Sequence, residues 1–348
     1  MSRLGVALIG TGMVARTHAR ALRDLADTIE VRGVYSRHAG RRAAFAAEFG
    51  FPDAPALDGL LADPAVEIVI VITPPNARLE IVAAATRAKK HLLLEKPLER
   101  TAAAAQRLVQ LCTAAGVTLG VVFQERLRPP AIALRRLVEG GALGAVVAGQ
   151  CFVPWWRPQA YYDEPGRGTY ARDGGGVLIT QAIHSLDLMR TLMGPVAEVQ
   201  AMAGTTRLHR MEAEDSVTAG LRFTSGALGT LWATTAAYPG AAESIALDFE
   251  RGAARLSGGA LTIARHDGTT EIIGAGDGET GGGADPMAFT HHRHRAVIAD
   301  FADAIRTGRA PLVPGTEALE VQILIEAILA SSRASRAIVI PAFATQYR

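Results

Sequence analysis

Cysteine is scarce in this chain of 348 residues, and long hydrophobic runs are missing. The two cysteines, Cys112 and Cys151, are too few for a disulfide framework or a cysteine-based metal site, so we expect a reducing compartment. No run reaches the roughly 18 uninterrupted apolar residues of a membrane span. The first residues also lack the basic and apolar regions of a signal peptide. These absences predict a cytoplasmic protein that does not cross a membrane.

An excess of charge of one sign is also lacking, since 36 basic and 34 acidic side chains leave a net charge of +2. A dedicated nucleic-acid-binding protein carries a basic face, so we expect no nucleic-acid partner. The short run at 291–295 contains three histidines and two arginines. Because no carboxylate or cysteine pattern accompanies it, it predicts a helix surface, and we expect no metal.

Lysine is the rarest of the basic residues, with Lys89, Lys90 and Lys96 as its three occurrences. Lysine can have its pKa lowered and give up a proton, which arginine effectively cannot do. A lysine in this chain therefore marks acid-base chemistry or occurs by chance, and for Lys96 both interpretations stay open. Lys89 and Lys90 lie near the end of a predicted helix, where we expect plain surface charge.

Strand-like apolar runs alternate with helical patterns over the first 124 residues. The unbroken run Ile68–Ile72, for example, is typical of a buried parallel strand. This alternation predicts an α/β fold with a doubly wound parallel sheet, which we assign to residues 1–124.

The pattern changes after Gln124 to strands joined by tight turns, which are typical of an antiparallel meander. We therefore expect residues 125–348 to form an α+β domain with a large, mostly antiparallel sheet. Residues 154–194 connect its first two strands and are too long for an idle loop; their second half has helical spacing. The glycine-rich stretch 274–285 predicts a loop.

A dinucleotide fingerprint joins the first predicted strand to the first helix. It reads Gly10-Thr11-Gly12-Met13-Val14-Ala15, with alanine at the third small position. Gly10 permits the tight turn, Gly12 lets the backbone approach a pyrophosphate, and the helix N-terminus faces the anion. The strand-turn-helix context favours an NAD(P)-binding Rossmann domain over an ordinary glycine turn, and it predicts that Met13 and Val14 also line the cofactor.

The end of the second predicted strand reads Tyr35-Ser36-Arg37-His38 and holds no carboxylate. An acidic residue here would bind the ribose 2′-hydroxyl of NAD and repel a 2′-phosphate. Ser36 and Arg37 are suited to a phosphate instead, so we expect NADP(H) to be favoured over NAD(H). In the alternative, Arg37 is a solvated surface charge and NAD is used.

Four further motifs carry a family resemblance. In chain order they are Thr73-Pro74-Pro75-Asn76, Glu95-Lys96-Pro97, Gly174-Gly175-Gly176 and His184-Ser185-Leu186-Asp187. Over nearly the whole chain this order resembles the glucose–fructose oxidoreductase / inositol dehydrogenase (Gfo/Idh/MocA) family. The resemblance implies an enzyme that oxidises or reduces a hydroxyl or carbonyl carbon of a sugar, nucleotide sugar, cyclitol or similar small molecule. It also implies a homodimer or homotetramer formed through the second-domain sheet.

The resemblance implies the site residues as well. Lys96 would be the catalytic lysine and His184 the acid/base or its partner. Residues Trp155-Trp156-Arg157 and Tyr161-Tyr162 are similar to the nucleotide-sugar members, and the aromatic side chains are interpreted as a sugar-site wall or, alternatively, a core cluster. Beyond the fingerprint, Ser36 and Arg37, the cofactor would contact Thr73, Pro74, Asn76, Glu95, Lys96, Gln124 and Arg157.

The chain departs from the family pattern near the expected proton-transfer residues. Thr180 stands where an acidic residue or asparagine is common, four positions before His184 and on the same helical face. Threonine cannot carry the charge that orients an imidazole, so Asp187, one turn further, is the substitute candidate. Arg78 stands where a histidine is common, and Lys90 where a glycine is common.

Lys96 follows a predicted parallel strand and is therefore expected to face the ligand cleft. It can hold the substrate oxygen, stabilise an alkoxide and exchange a proton. A nearby cation would keep His184 neutral, so either His184 removes the proton while Lys96 positions the oxygen, or the reverse. The alternatives are a non-catalytic dinucleotide-sensing regulator on the same fold and a dehydrogenase of a non-sugar substrate such as a dihydrodiol.

Overall fold

The computed structural model describes residues 2–274 and 290–342, which form two compact units. The first unit comprises residues 2–124 and 290–319. The second comprises the described residues of 125–274 together with 320–342. Apart from Gly274, the loop predicted at 274–285 lies outside the described residues.

The first unit is built on a parallel five-stranded sheet with the order β2-β1-β3-β4-β5. Its strands are short and apolar, and β1, β3 and β5 are buried along their whole length, as expected of strands covered on both faces. The predicted doubly wound parallel sheet is confirmed. The five strands are β1 (Leu4–Ile9), β2 (Ile29–Tyr35), β3 (Ile68–Val71), β4 (His91–Leu94) and β5 (Leu119–Val121).

Ten helices of the α type occur in the described residues. Thr101 caps one of them, α5, because its side chain accepts a hydrogen bond from the N–H of Ala104. In chain order they are α1 (Ala15–Asp24), α2 (Ala39–Phe49), α3 (Leu57–Ala62), α4 (Arg78–Arg87), α5 (Ala102–Ala115), α6 (Pro129–Gly140), α7 (Gln159–Tyr162), α8 (Ile183–Met193), α9 (His292–Thr307) and α10 (Gly315–Ala334). None of the helices in the described ranges is long and apolar enough to cross a membrane.

Helix α9 belongs to the first unit although it follows the second unit's strands in the chain. It packs against α1 and β4. Its Phe301 lies against Gly120 of β5, where a Cβ atom would come within 2.6 Å of the phenyl ring. The sequence predicted a second domain that runs without interruption over 125–348. The structure differs at 290–319 because this amphipathic segment buries its apolar face on the first unit.

The second unit is built on a nine-stranded sheet with the order β13-β12-β11-β10-β6-β9-β8-β7-β14. Strands β6 and β9 pair in parallel and the other pairs are antiparallel, so the predicted mostly antiparallel sheet is confirmed. The strands are β6 (Val146–Pro154), β7 (Val196–Gly204), β8 (Ser216–Phe223), β9 (Leu228–Thr234), β10 (Ser244–Phe249), β11 (Gly252–Ser257), β12 (Ala260–Arg265), β13 (Thr270–Ile273) and β14 (Ile338–Val339).

The predicted helix in the connection between β6 and β7 is present as a π-helical turn, Leu178–Ala182, followed directly by α8. Helix α8 packs on β6 and β10. Two strand glycines allow this close packing, since a Cβ on Gly149 would come within 2.4 Å of Met193 and one on Gly229 within 2.9 Å of Met189. The helix that carries His184 is therefore fixed on the sheet.

Candidate functional site

The glycine turn between β1 and α1 is open toward the outside. Gly10 adopts φ = +115°, and a Cβ there would lie 2.9 Å from Ile72, so the position requires glycine. A Cβ on Gly12 would meet nothing within 4 Å. Met13 is 51% exposed and Val14 is half-buried, so the turn leaves its backbone accessible to a ligand.

The segment after β2 carries hydroxyl and cationic groups. The hydroxyl of Thr11 donates to Ser36 Oγ at 3.2 Å, and the Ser36 carbonyl accepts from Arg42 Nη1 at 3.1 Å. Arg37 is exposed. The nearby carboxylate of Asp53 is held by Arg42. Ser36, Arg37 and the exposed His38 are thus accessible polar side chains at the end of this strand.

Two turns at the carboxyl end of the sheet contain buried polar atoms that have no hydrogen-bond partner among the described residues. They are Oγ1 of Thr73, after β3, and Oε1 of Gln124, after β5. Pro74 and Asn76 are exposed beside Thr73. A nicotinamide dinucleotide bears amide, hydroxyl and phosphate groups, so the open glycine turn and these polar atoms fit such a cofactor.

The carboxylate of Glu95 is occupied by contacts inside the first unit. Its Oε1 lies 2.8 Å from His18 Nε2 and 3.2 Å from His294 Nε2, and its Oε2 accepts the N–H of Lys96 at 3.1 Å. Burial alone would raise the pKa of Glu95, but the hydrogen bonds and charges of His18 and His294 hold it well below its usual range. Glu95 therefore anchors the turn that carries Lys96, and its expected contact with the cofactor stays a prediction.

Two histidines of the basic run at 291–295 contact carboxylates of the first unit. His294 is buried on Glu95, whereas His291 lies near the surface and contacts Asp24, with Nε2 2.8 Å from Oδ2. Two sets of side chains bring nitrogen and oxygen atoms close enough for a metal ion: His18, Glu95 and His294, and Asp24, His291 and His292. The sequence predicted a helix surface for the whole run; this is wrong for His294, because the residue faces inward from α9.

The glycine run of the second unit packs against Glu214. A Cβ on Gly176 would lie 1.7 Å from the Glu214 carbonyl oxygen, so the two backbones require glycine there. The Glu214 carboxylate accepts the N–H groups of Gly176 and Leu178, each at 3.1 Å. Burial raises the pKa of Glu214, against these hydrogen bonds. Glu214 thereby satisfies the N–H groups at the start of the helical segment that leads to His184.

The expected proton-transfer residues of the second unit lie along this helical segment. His184 is 8% exposed, in the first turn of α8. The Thr180 hydroxyl donates to the Gly176 carbonyl at 2.5 Å and also contacts Gln181 Oε1. Asp187 is fully buried and accepts from Arg126 Nε at 2.7 Å and Nη2 at 2.5 Å. Since both Asp187 oxygens contact Arg126, its proposed effect on His184 stays a prediction.

The aromatic cluster surrounds Arg157, which is 2% exposed. The guanidinium lies 5.3 Å from the ring centre of Trp155 and 5.6 Å from that of Tyr161. A second guanidinium, that of Arg167, lies 4.3 Å from the ring centre of Tyr161 and donates to the Tyr161 hydroxyl at 3.0 Å. Trp155 Nε1 is buried with no hydrogen-bond partner among the described residues. The cluster thus combines apolar surface with polar donors, as sugar sites do.

Sequence reasoning missed the residues that support this cluster and helix. His209 Nδ1 lies 2.7 Å from the buried Asp215 carboxylate, and its Nε2 lies 2.8 Å from the Arg157 carbonyl. His209 therefore connects the Asp215 carboxylate to the backbone of Arg157. Neither His209 nor Glu214 lies in a recognisable motif, so no local signal marked them.

Two family models match the chain, one in its N-terminal part and one in its C-terminal part. Residues 4–123 match the model of an oxidoreductase family with an NAD-binding Rossmann fold, and residues 132–255 match the GFO/IDH/MocA C-terminal domain. The chain belongs to the Gfo/Idh/MocA family. As a Gfo/Idh/MocA protein it is an oxidoreductase that acts on CH–OH groups, with hydride transfer between nicotinamide C4 and the hydroxyl or carbonyl carbon.

Individual relatives within the Gfo/Idh/MocA family are moderately similar. The 1,5-anhydro-D-fructose reductase of Ensifer adhaerens is 32% identical over 231 residues, which cover 66% of this chain and 68% of that protein. The WlbA dehydrogenase from Bordetella pertussis, solved with NADH and UDP-GlcNAcA, is 28% identical with a TM-score of 0.83, covering 98% of this chain and 100% of that one. A levoglucosan dehydrogenase shares the fold, with a TM-score of 0.87 at 22% identity and the same coverage.

Proposed function

We propose that this protein oxidises or reduces a hydroxyl or carbonyl carbon of a sugar or nucleotide sugar and uses NADP(H) in preference to NAD(H). The observation that carries the cofactor choice is the segment after β2, where Ser36 and the exposed Arg37 stand and the Tyr35–His38 stretch has no carboxylate. When bound, the nicotinamide accepts or supplies the hydride. Gly10 and Gly12 would hold the pyrophosphate, and Thr73 and Gln124 the nicotinamide half.

Substitution of Arg37 tests the cofactor choice. In Arg37→Gln the dissociation constant for NADPH, measured by fluorescence titration, should rise about tenfold, since a charged hydrogen bond contributes roughly 1.5–3 kcal/mol and is weakened by exposure. The dissociation constant for NADH should stay unchanged. Arg87→Gln is the matched control, because it removes another exposed arginine of the same unit. Equal affinity of the wild type for NADH and NADPH would contradict the proposal.

We assign the proton transfer to Lys96 and His184. The Lys96 main-chain N–H is fixed by the Glu95 carboxylate, and His184 is held by a helix that packs on the sheet. A lysine ammonium can hold the substrate oxygen while an imidazole accepts the proton, or the two roles can be exchanged. Thr180 and Asp187 lie on the same helical segment and, through their bonds to the Gly176 carbonyl and to Arg126, support the position of His184.

The sugar-like substrate is supported by the aromatic cluster and by the names of the relatives. Trp155 and Tyr161 offer flat apolar faces, and Arg157 and Arg167 lie against them. A screen of sugars, anhydrosugars and nucleotide sugars with NADP(H) tests this class, and turnover confined to non-sugar alcohols would overturn it. We further propose that the protein is a cytoplasmic homodimer or homotetramer. Light scattering of the purified protein measures the mass of the oligomer.

A further inference from the structure

Arg78 is a buried arginine that connects two turns at the carboxyl end of the parallel sheet. It opens helix α4 and is 2% exposed. Its Nε and Nη2 donate to the Thr73 carbonyl at 3.1 Å and 2.9 Å. Its Nη1 donates to the carbonyls of Glu95 and Pro97, and to that of Leu98 at 3.3 Å. One guanidinium therefore spans the turn after β3 and the turn after β4.

The charge of Arg78 is retained although the side chain is buried. Burial lowers its pKa to about 10, against the opposing charges of Glu95 and Glu99, so the group remains a cation at neutral pH. Its acceptors in the described part of the chain are main-chain carbonyls. A buried cation without such hydrogen bonds is strongly unfavourable, so the two turns and the guanidinium hold each other in place.

We propose that Arg78 is a positioning residue of the reaction: it sets the distance between the turn of Thr73 and the turn of Lys96. This proposal rests on the function proposed above, in which Thr73 contacts the cofactor and Lys96 the substrate oxygen. Arg78 itself touches neither ligand, because its donors are directed at the main chain. The residues flanking Lys96 on both sides, Glu95 and Pro97, are the ones it holds.

The geometry of the side chain explains why arginine is required. The guanidinium is planar and presents five N–H donors in a fixed fork, so opposite edges can serve two different turns. Lysine has a single ammonium group and can serve the carbonyls of one turn only. A histidine would offer at most two donors on a shorter side chain.

Three variants separate positioning from plain structural support. Arg78→Lys keeps a cation, Arg78→Met removes it, and Lys90→Met is the matched control. Lys90 is also a buried cation, 8% exposed, whose Nζ donates to a main-chain carbonyl, that of Asp63, at 2.9 Å. It precedes β4 at the opposite end from the Lys96 turn. Both methionine variants should therefore lower the unfolding temperature of the cofactor-free protein.

We expect kcat and cofactor affinity to fall in the variants that release the two turns, and not in the control variant that only loses stability. Arg78→Met should lower kcat about 100-fold and Arg78→Lys about tenfold, since a displacement of about 1 Å can reduce a rate 100-fold. The KM for the substrate should change little, and the dissociation constant for NADPH should rise several-fold in both. Lys90→Met should retain kcat and NADPH affinity.

Wild-type kcat and NADPH affinity in Arg78→Lys would overturn the proposal. So would a loss of kcat in Lys90→Met as large as that in Arg78→Met at the same unfolding temperature. The NADPH titration needs no substrate, so unchanged NADPH binding in both Arg78 variants contradicts the positioning role by itself. A wild type that turns over no sugar contradicts the proposed function instead.

Discussion

The three lysines of the chain have different surroundings, which bears on the role of each. Lys89 Nζ donates to the Ala115 carbonyl at the surface. Lys90 is buried, so the expectation of plain surface charge is wrong for this residue. Lys96 lies half-buried in the turn that Glu95 anchors. Lys89 and Lys90 lie at the amino end of β4, whereas Lys96 follows its carboxyl end, where ligands of parallel sheets bind, so Lys96 is the candidate for chemistry.

Substitution of Lys96 and of His184 distinguishes their roles. Lys96→Ala and His184→Gln should each lower kcat roughly 100- to 10,000-fold, the usual contribution of a positioned acid or base. The variant that lacks the base should also lose the acidic limb of the pH profile of kcat/KM, which decides between the two versions of the mechanism. Lys89→Ala is the control for removal of a lysine. Wild-type turnover in Lys96→Ala would rule out both versions.

At the scale of the element, the helical segment that carries His184 shows why the sequence holds a run of glycines. Helical spacing in the sequence predicted the helix, and the three glycines before it were part of the motif that carries the family resemblance. The partner that requires the last of them, Gly176, is Glu214, which lies 38 residues further along the chain. Such a contact follows from tertiary packing, and no local propensity or spacing indicates it. The segment is thus predictable as a helix but not as a helix capped by Glu214.

Gly176→Ala tests the close approach of the two backbones. The added methyl group would have to displace the Glu214 main chain, so the free energy of unfolding should fall by about 1–3 kcal/mol or more. Gly220→Ala is the matched control, since a Cβ at this strand position meets nothing within 4 Å. Urea denaturation of the two variants measures the difference, and equal midpoints would contradict this account of the glycine.

At the scale of the whole molecule, the cluster of His18, Glu95 and His294 makes the free energy of unfolding depend on pH. Burial lowers the pKa of His294, as do the charges of His18 and Lys96, against the opposing effect of Glu95. In the unfolded chain the pKa returns to about 6.5. Below that pH the unfolded chain binds a proton that the folded protein does not, so acidification favours unfolding.

The unfolding free energy of the wild type should therefore fall as the pH is lowered from 7 to 5. His294→Asn should reduce this slope by up to about 1.4 kcal/mol per pH unit, the share of one proton. Unfolding curves at several pH values measure it, and identical slopes in wild type and His294→Asn would refute this assignment.

Local patterns predicted the sheets, the glycine turn and the segment after β2, because these depend on residues close together in the chain. The contacts of Arg78 and His294 were not predictable in this way. Arg78 joins carbonyls up to 20 residues away, and His294 contacts the carboxylate of Glu95 in the turn after β4. A buried arginine or histidine has the same local pattern as a solvated one, so only the folded chain distinguishes them.

The return of α9 to the first unit has a consequence for how the protein is made. Ribosomes release the chain from its N-terminus, and domains commonly fold as they emerge. The first 124 residues lack both Phe301, which covers Gly120, and His294, which contacts Glu95. The nucleotide-binding unit therefore cannot complete its packing during synthesis until the chain has been made through α9.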